Sequence, residues 1–290
     1  MSDAPALPRF SGLFRNPAAA ASLAIFAALC VVAILAPVIS PQNPYDLSSF
    51  SLMQSRLPPG SYDDLGNLYV LGTDSQGRDM LSAILYGLRI SLAVGLIAST
   101  IAMVFGTAVG LWAGYAGRWV DALLMRIVDL QLSIPAILIA LILLAVLGRG
   151  PDKVVLALAA VQWVYFARTV RGAVLVEREK DYVNLCRMQG FGNWRILFLH
   201  ILPNVLPVVS AVATVSFATA ISLEATLSFL GLGMPVTEPS LGLLISNGLS
   251  RLMNGEYWIS IFPGLALLAV VMVLNVFSDE LQDILNPLRR

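Results

Sequence analysis

One carboxylate stands out in this chain because of its surroundings. Glu224 lies in the sequence ISLEATLSF, inside a long apolar segment. A carboxylate within a membrane is costly, so such a residue is by default a candidate functional group. Glu224 therefore has two interpretations. It could contact a positively charged group on a solute that crosses the membrane, or it could form an internal hydrogen bond near the outer end of its helix. The residues alone leave both interpretations open.

Other residues that could perform chemistry are few. A phosphate-binding loop needs Gly-Lys-Ser/Thr, but the two lysines, Lys153 and Lys180, follow acidic residues. The single histidine, His200, has no companion ligand at metal-binding spacing. We therefore expect no catalytic residue, no metal and no cofactor. Any ATP hydrolysis associated with this chain must occur on a different protein.

The composition indicates a membrane protein. The chain has 290 residues, of which 58% are hydrophobic and 12% are charged, whereas a soluble domain has roughly 25% charged residues. Its mean hydropathy is +0.80. A membrane-spanning backbone must satisfy its own hydrogen bonds, so the spans should be helices. The net charge of zero gives no general attraction to nucleic acid.

Six apolar segments divide the chain into predicted spans. They cover residues 18–39, 90–115, 119–147, 154–170, 197–230 and 257–281. Residues 1–17 and 285–290 are predicted tails, and residues 40–89 a turn-rich excursion on the outer side. The first segment is long enough for a retained span rather than a cleaved signal peptide. Basic residues are more numerous on the side shared by both termini, so this side should be cytoplasmic.

A polar segment, residues 176–204, interrupts the apolar sequence and reads VEREKDYVNLCRMQGFGNWRILFLHILPN. Gly190 is suited to the left-handed position that ends a helix. Asn193 could cap the helix that follows, and Pro203 and Pro207 predict a bend where that helix enters the membrane. The pattern predicts a short helix across the base of the bundle. An ordinary polar loop is the alternative.

The polar segment resembles the EAA loop of ABC importer permeases. In that family Glu-Ala-Ala is followed by three residues and Gly, then by nine residues and an Ile-x-Leu-Pro-like end. Gly190 and Leu202-Pro203 match this spacing, while Asn184-Leu185-Cys186 replaces Glu-Ala-Ala and His200 replaces Ile. The resemblance implies that the ATPase is contacted through Tyr182, Asn184, Leu185, Cys186, Arg187, Gly190, Leu202 and Pro203.

Motifs elsewhere resemble dipeptide, oligopeptide and nickel permeases. They are LGTDSQGRD at 71–79, YGLRISL at 86–92, the Asp, Met-Arg, Asp and Pro residues within 121–135, LSFLGLG at 227–233 and FPG at 262–264. The resemblance extends from residue 71 to the C-terminus. It implies an all-α, six-helix, type I ABC importer permease fold, with a core transmembrane domain over residues 90–284.

Two of these motifs also have local interpretations. Thr73 followed by Gln76 fits a capping box that would begin a helix just outside the membrane. Arg126 and Asp129 are three residues apart and could pair on one helical face.

The resemblance implies a permease subunit that forms half of a translocation pathway for peptides, peptide-like solutes or nickel chelates. Its partners would be a second, homologous permease, two cytoplasmic ATPase subunits and an extracytoplasmic solute-binding protein. The chain would lie in the bacterial inner membrane with both termini in the cytoplasm. One alternative is an ion-coupled secondary transporter that uses Glu224 and Asp129. Another is a structural anchor that transports nothing.

Overall fold

Helices dominate the structure, a computed structural model that describes residues 17–46, 52–62 and 66–285. Both predicted tails, with Arg9, Arg15, Arg289 and Arg290, lie outside these residues almost entirely. The helices are α1 (Pro17–Ile39), α2 (Met80–Ala116), α3 (Arg118–Leu132), α4 (Ala136–Leu147), α5 (Pro151–Glu177), α6 (Asp181–Met188), α7 (Asn193–Ile196), α8 (Leu202–Phe229), α9 (Leu241–Leu249) and α10 (Trp258–Leu285). Short strands β1 (Ser61–Tyr62) and β2 (Leu68–Tyr69) form an antiparallel hairpin.

The expectation of an all-helical membrane domain is confirmed. Five helical stretches of the described chain are long and apolar enough to cross a membrane. They are Ala19–Ile39, Met80–Ala116, Pro151–Glu177, Asn193–Phe229 and Trp258–Asp283. The pair α3 and α4 passes the same test jointly, which gives up to six crossings.

The predicted third span is broken rather than continuous. Helices α3 and α4 meet at an angle of 88°. Pro135 precedes α4 with a non-helical ψ of 129°, and a proline also disfavours the helical conformation of the residue before it. The single helix expected over residues 119–147 is therefore wrong.

Helix α2 begins ten residues before the predicted span at residue 90. Asp79 caps it, because its Oδ2 accepts a hydrogen bond of 2.8 Å from the Ser82 backbone N–H. Arg89 lies on the exposed side of this helix, within the helical run rather than before it. The predicted boundary between residues 89 and 90 therefore falls within this helix, and the extent of the outer segment stays a prediction.

The capping box predicted at Thr73 is also wrong. The Thr73 hydroxyl accepts a hydrogen bond of 2.7 Å from the Leu57 backbone N–H and donates one of 2.7 Å to the Gln54 carbonyl. Thr73 thus fastens two parts of the outer segment, and the helix start belongs to Asp79. Nearby, a buried ion pair joins Asp74 and Arg78 at 2.7 Å.

Ion pairs join α3 to α5. Arg171 forms two hydrogen bonds with the Asp121 carboxylate, at 2.9 and 2.6 Å. Arg168 lies 3.6 Å from Asp129. The predicted pair within α3 is therefore wrong: Asp129 faces the arginine of a neighbouring helix, and Arg126 is exposed.

Close packing of α2 against α5 forms the centre of the bundle. Gly106, Gly110 and Gly114 recur every four residues on one side of α2, where the backbone of α5 approaches them. A methyl group at Gly110 would lie 2.6 Å from the Ala167 carbonyl oxygen. Small residues of this kind allow membrane helices to approach closely.

Helix α9 was not predicted. The Ser240 hydroxyl caps it by accepting a hydrogen bond of 3.2 Å from the Leu243 backbone N–H. With nine residues, the helix is too short to cross a membrane.

Candidate functional site

The polar segment, residues 176–204, folds into a short helix with a defined end. Helix α6 is followed by Gly190, whose φ is +77°. The Gly190 N–H donates to the Arg187 carbonyl at 3.0 Å, and the Phe191 N–H donates to the Cys186 carbonyl at 3.1 Å. These two bonds constitute a Schellman motif. The predicted role of Gly190 as a helix terminator is confirmed.

Tyr182 joins α6 to the helices on both sides of it. Its hydroxyl donates a hydrogen bond of 2.8 Å to Glu177 Oε2 at the end of α5, and it accepts one of 3.1 Å from Asn204 Nδ2 in α8. Burial, followed by the hydrogen bond to Glu177, raises the pKa of Tyr182 to about 12. The hydroxyl therefore stays protonated, and able to donate, throughout the neutral pH range.

Further contacts join the polar segment to the end of α2. Arg178 Nη1 donates a hydrogen bond of 2.7 Å to the Gly114 carbonyl. The Tyr115 hydroxyl donates one of 2.9 Å to Asn193 Oδ1. Asn193 was expected to cap α7, which is wrong: the preceding Gly192 takes that position, without a side-chain cap. The side-chain oxygen of Asn193 instead accepts its hydrogen bond from Tyr115, which is distant in sequence.

The helical run that begins with α7 leads back into the bundle. It contains a π turn but does not end there. This turn covers Leu197–Ile201, and the Leu202 N–H donates to the Leu197 carbonyl five residues earlier. Pro203 and Pro207 were predicted to bend the helix here; the bend stays a prediction, and the helical run continues through the π turn as α8. Asn204 Nδ2 also donates a hydrogen bond of 2.8 Å to the His200 carbonyl.

The predicted ATPase-contact residues within α6 divide between two faces of that helix. Tyr182 and Cys186 are half-buried and pack beside buried Val183. Leu185 is 56% exposed and Met188 is 85% exposed. Asn184, Arg187 and Gly190 are exposed, and so is Pro203 at the start of α8, whereas Leu202 is half-buried.

Met188 was missed by sequence reasoning. It follows Leu185 by three residues, so both side chains lie on one side of the helix. That spacing could have identified it, because two apolar residues on the outer face of a polar segment suggest a docking surface.

Glu224 lies between three helices with no exposed surface. Its carboxylate accepts hydrogen bonds from Ser91 Oγ in α2 at 2.7 Å and from Ser228 Oγ in α8 at 2.8 Å. This arrangement favours internal bonding, one of the two interpretations of Glu224. A contact with a solute stays a prediction.

A groove of about 580 Å³ lies between α5, α8 and α10. It is lined by Gln162, Tyr165, Thr169, Val208, Ala211, Val212, Val215, Ser216, Thr219 and Gln282. None of these lining residues is charged. Gln162 donates a hydrogen bond of 3.2 Å to the Ser216 carbonyl, while its Oε1 has no hydrogen-bond partner in the described structure.

Comparisons with known proteins agree with this architecture. Residues 106–290 match the family described as binding-protein-dependent transport system inner membrane component. Residues 10–59 match the N-terminal TM domain of oligopeptide transport permease C. The solved MetNI methionine ABC transporter, in an inward-facing conformation, has a similar fold. The TM-score is 0.58 at 18% identity, over 71% of this chain and 97% of that one.

Similar sequences come from several bacteria. The chain is 37% identical to the dipeptide transport system permease protein DppC of Alkalihalophilus pseudofirmus, over 96% of this chain and 88% of that protein. It is 36% identical to the glutathione transport system permease protein GsiD of Pectobacterium atrosepticum, over 91% of this chain and 87% of that protein. The chain therefore belongs to the family of binding-protein-dependent transport system inner membrane components, and it is a multi-pass membrane protein.

Proposed function

We propose that this chain is a permease subunit of an ATP-binding-cassette importer and that α6 receives the movement of an ATPase subunit. The observation that carries this proposal is the division of α6 into two faces. Leu185 and Met188 face outward, while Tyr182 binds the helices on either side. A force applied to the outer face is thereby transmitted into the bundle.

The contacts of the polar segment support movement as a unit. It is bonded to α2 through Arg178 and Asn193, and to α5 and α8 through Tyr182. An ATPase that changes conformation with nucleotide could bias the bundle between two states only if such connections resist local bending. Because the chain itself has no phosphate-binding loop, the hydrolytic energy must come from that partner.

The complete transporter would contain further proteins. We place this chain beside a second, homologous permease, above two cytoplasmic ATPase subunits, and below an extracytoplasmic solute-binding protein. Both termini and the polar segment would face the cytoplasm. The excess of basic residues on this side supports the orientation. Residues 90–284, extended back to the helix start at Met80, would form the core permease domain.

The transported solute is proposed to be a peptide or a peptide-like compound. Relatives named for dipeptides, di/tripeptides and glutathione are 34–37% identical to this chain. The uncharged groove between α5 and α8 would form this subunit's part of the pathway. Side chains such as Tyr165, Thr169 and Thr219 can form hydrogen bonds to a peptide without selecting for a particular net charge. Selection among solutes would then rest with the binding protein.

The ion-coupled alternative lacks a shared site. Asp129 is 55% exposed and lies 3.6 Å from Arg168, whereas Glu224 is enclosed among serine hydroxyls. The two acids therefore occupy separate environments and do not form a joint ion-binding centre in this structure.

Crosslinking tests the docking face directly. In the assembled transporter, Cys30 and Cys186 would be changed to Ser, and Met188→Cys introduced. A thiol-reactive crosslinker should then capture an ATPase subunit, because position 188 projects outward. The matched control is the protein with Cys186 as its only cysteine, where the half-buried thiol should react far less.

Two results would contradict this assignment. One is failure of the position-188 cysteine to capture any ATPase in transporters that still hydrolyse ATP in response to solute. The other is more efficient capture by Cys186 than by position 188, which would reverse the two faces of α6.

A further inference from the structure

A second cavity lies where the end of α2 meets the polar segment. Its volume is about 420 Å³, within the range of small-molecule sites. It is lined by Trp112, Tyr115, Ala116, Arg187, Asn193, Trp194 and Leu197. The lining contains one positive charge and no acidic residue, together with three aromatic side chains.

Arg187 supplies a positive charge with no acidic partner. Its guanidinium lies 5.7 Å from the centre of the Tyr115 ring, and its Nη1 donates a long hydrogen bond of 3.4 Å to Asn184 Oδ1. Among the ion pairs of the described residues, none includes Arg187. The cation thus lies near the tyrosine ring at the wall of the cavity, and most of its hydrogen-bonding capacity is free for an anion.

The aromatic residues favour a position of this cavity at the membrane surface. Trp112 is 57% exposed and Trp194 is 72% exposed. Exposed tryptophans of membrane proteins are enriched at the level of the lipid headgroups, where an apolar ring and a polar N–H are both accommodated. Arg187 beside them is therefore expected at the level of the phosphate groups.

An apolar stripe on α2 continues from the cavity toward the middle of the membrane. Ile97, Ile101, Val104 and Trp112 share one side of the helix, and they are 50%, 42%, 63% and 57% exposed, respectively. A ligand seated at Arg187 would therefore have an apolar surface along which hydrocarbon chains could extend. A soluble anion would make no use of that surface.

We infer that this cavity binds the headgroup of an anionic phospholipid, with its phosphate at Arg187 and its acyl chains along α2. Basic pockets between membrane helices recognise such headgroups. The site joins α2 to α6 and α7, so the occupied cavity would stabilise the position of the proposed docking helix. The inference concerns lipid binding and does not depend on the identity of the ATPase or of the solute.

Native mass spectrometry of the assembled transporter can test the site. The protein would be equilibrated with mixed vesicles of dioleoylphosphatidylcholine and dioleoylphosphatidylglycerol, and the retained lipids counted. Wild-type protein should retain phosphatidylglycerol preferentially. Arg187→Gln should lower that preference about fivefold, the equivalent of the ~1 kcal/mol that one basic residue contributes near an anionic lipid surface. Arg187→Lys should keep it, because a point charge still binds phosphate.

Matched controls distinguish a site from diffuse attraction. Arg195 lies in the same segment, but its guanidinium is 4.5 Å from the Phe191 ring centre and does not line the cavity. Arg195→Gln should leave the lipid preference near the wild-type value. Likewise, Trp112→Ala should weaken lipid retention, whereas Trp119→Ala, at a 77% exposed tryptophan outside the cavity, should not.

Equal losses for the Arg187 and Arg195 variants would indicate a general surface attraction and overturn the inference. So would displacement of the lipid by inorganic phosphate at comparable concentration, which would identify a site for a soluble anion. Absence of any phosphatidylglycerol preference in the wild-type complex would show that the cavity does not select an anionic lipid in the assembly, and it would also overturn the inference.

Discussion

Tyr182 connects three helices through one hydroxyl group. It donates to Glu177 and accepts from Asn204, so it uses both kinds of hydrogen bond that a phenol can form. Glu177 also binds Lys180 at 2.6 Å, which fixes the turn between α5 and α6. The orientation of the proposed docking helix thus depends on this hydroxyl as well as on the packing of Val183 in the buried cluster.

Tyr182→Phe should weaken this connection while preserving the ring. Loss of the hydroxyl leaves a Glu177 oxygen and an Asn204 N–H without their partner, a cost of about 1 to 3 kcal/mol. We expect a lower melting temperature in detergent and less solute imported per ATP hydrolysed. Tyr257→Phe is the control, because its half-exposed ring has no hydroxyl hydrogen bond among those of the described residues. Equal effects of the two changes would refute the role of Tyr182.

Glu224 offers a test between packing and transport. Glu224→Ala should lower the melting temperature, since the Ser91 and Ser228 hydroxyls would lose a buried acceptor at about 1 to 3 kcal/mol each. Glu224→Gln keeps the shape and one acceptor oxygen, and the serine hydroxyls can rotate to accept from its amide. Normal uptake by the Gln variant would assign Glu224 to packing. Impaired uptake at unchanged thermal stability would instead support a contact with the solute.

Single residues were predictable where their contacts are local. Gly190 could be identified because the bonds that end α6 lie within five residues. Asn193 and Thr73 were misinterpreted because their partners, Tyr115 and Leu57, are 78 and 16 residues away. A capping pattern in sequence cannot reveal that a distant group competes for the same oxygen.

At the scale of whole helices, close contact between α2 and α5 dominates. The glycines of α2 remove side chains where the α5 backbone approaches. This contact is close and extensive, so the two helices should move together whenever the bundle changes conformation.

Gly110→Ala should therefore destabilise the bundle by about 1 to 3 kcal/mol, the usual cost of overpacking. Its new methyl group would meet the Ala167 carbonyl oxygen at 2.6 Å unless the helices separate. Gly172→Ala is the matched control, since no atom lies within 4 Å of its added methyl group, and alanine favours a helix by roughly 1 kcal/mol. Thermal unfolding in detergent should rank Gly172→Ala above the wild type and Gly110→Ala below it. The reverse order would contradict the packing argument.

Apolar runs predicted which segments are helical, but not where those helices end. Three arginines lie inside helices rather than at helix ends: Arg89, Arg168 and Arg171. A helix can carry these charges because each side chain is either exposed or paired with a carboxylate. The break before α4 follows from Pro135, although its angle depends on packing against α5. The nine-residue α9 was missed because its stability comes from tertiary contacts and a serine cap, rather than from an apolar run of membrane length.

For the whole molecule, the source of energy distinguishes the proposed importer from an ion-coupled carrier. Membrane vesicles that contain the assembled transporter should take up solute with ATP present and a proton uncoupler added, because no step draws on an ion gradient. Vesicles that hold a transporter with an inactivated ATPase are the control and should show no uptake. If the uncoupler abolished uptake although ATP and an active ATPase were present, the result would instead support the ion-coupled carrier.

The indole nitrogen of Trp258 donates a hydrogen bond of 3.1 Å to the Thr73 carbonyl, across 185 residues of sequence. Trp258 opens the last helix, while Thr73 belongs to the outer segment that is synthesised early. During biosynthesis, the outer segment must therefore wait for nearly all of the chain to emerge before this contact can form. A ribosome that stalls before residue 258 would leave the outer segment with its own internal contacts but without this attachment to the last helix.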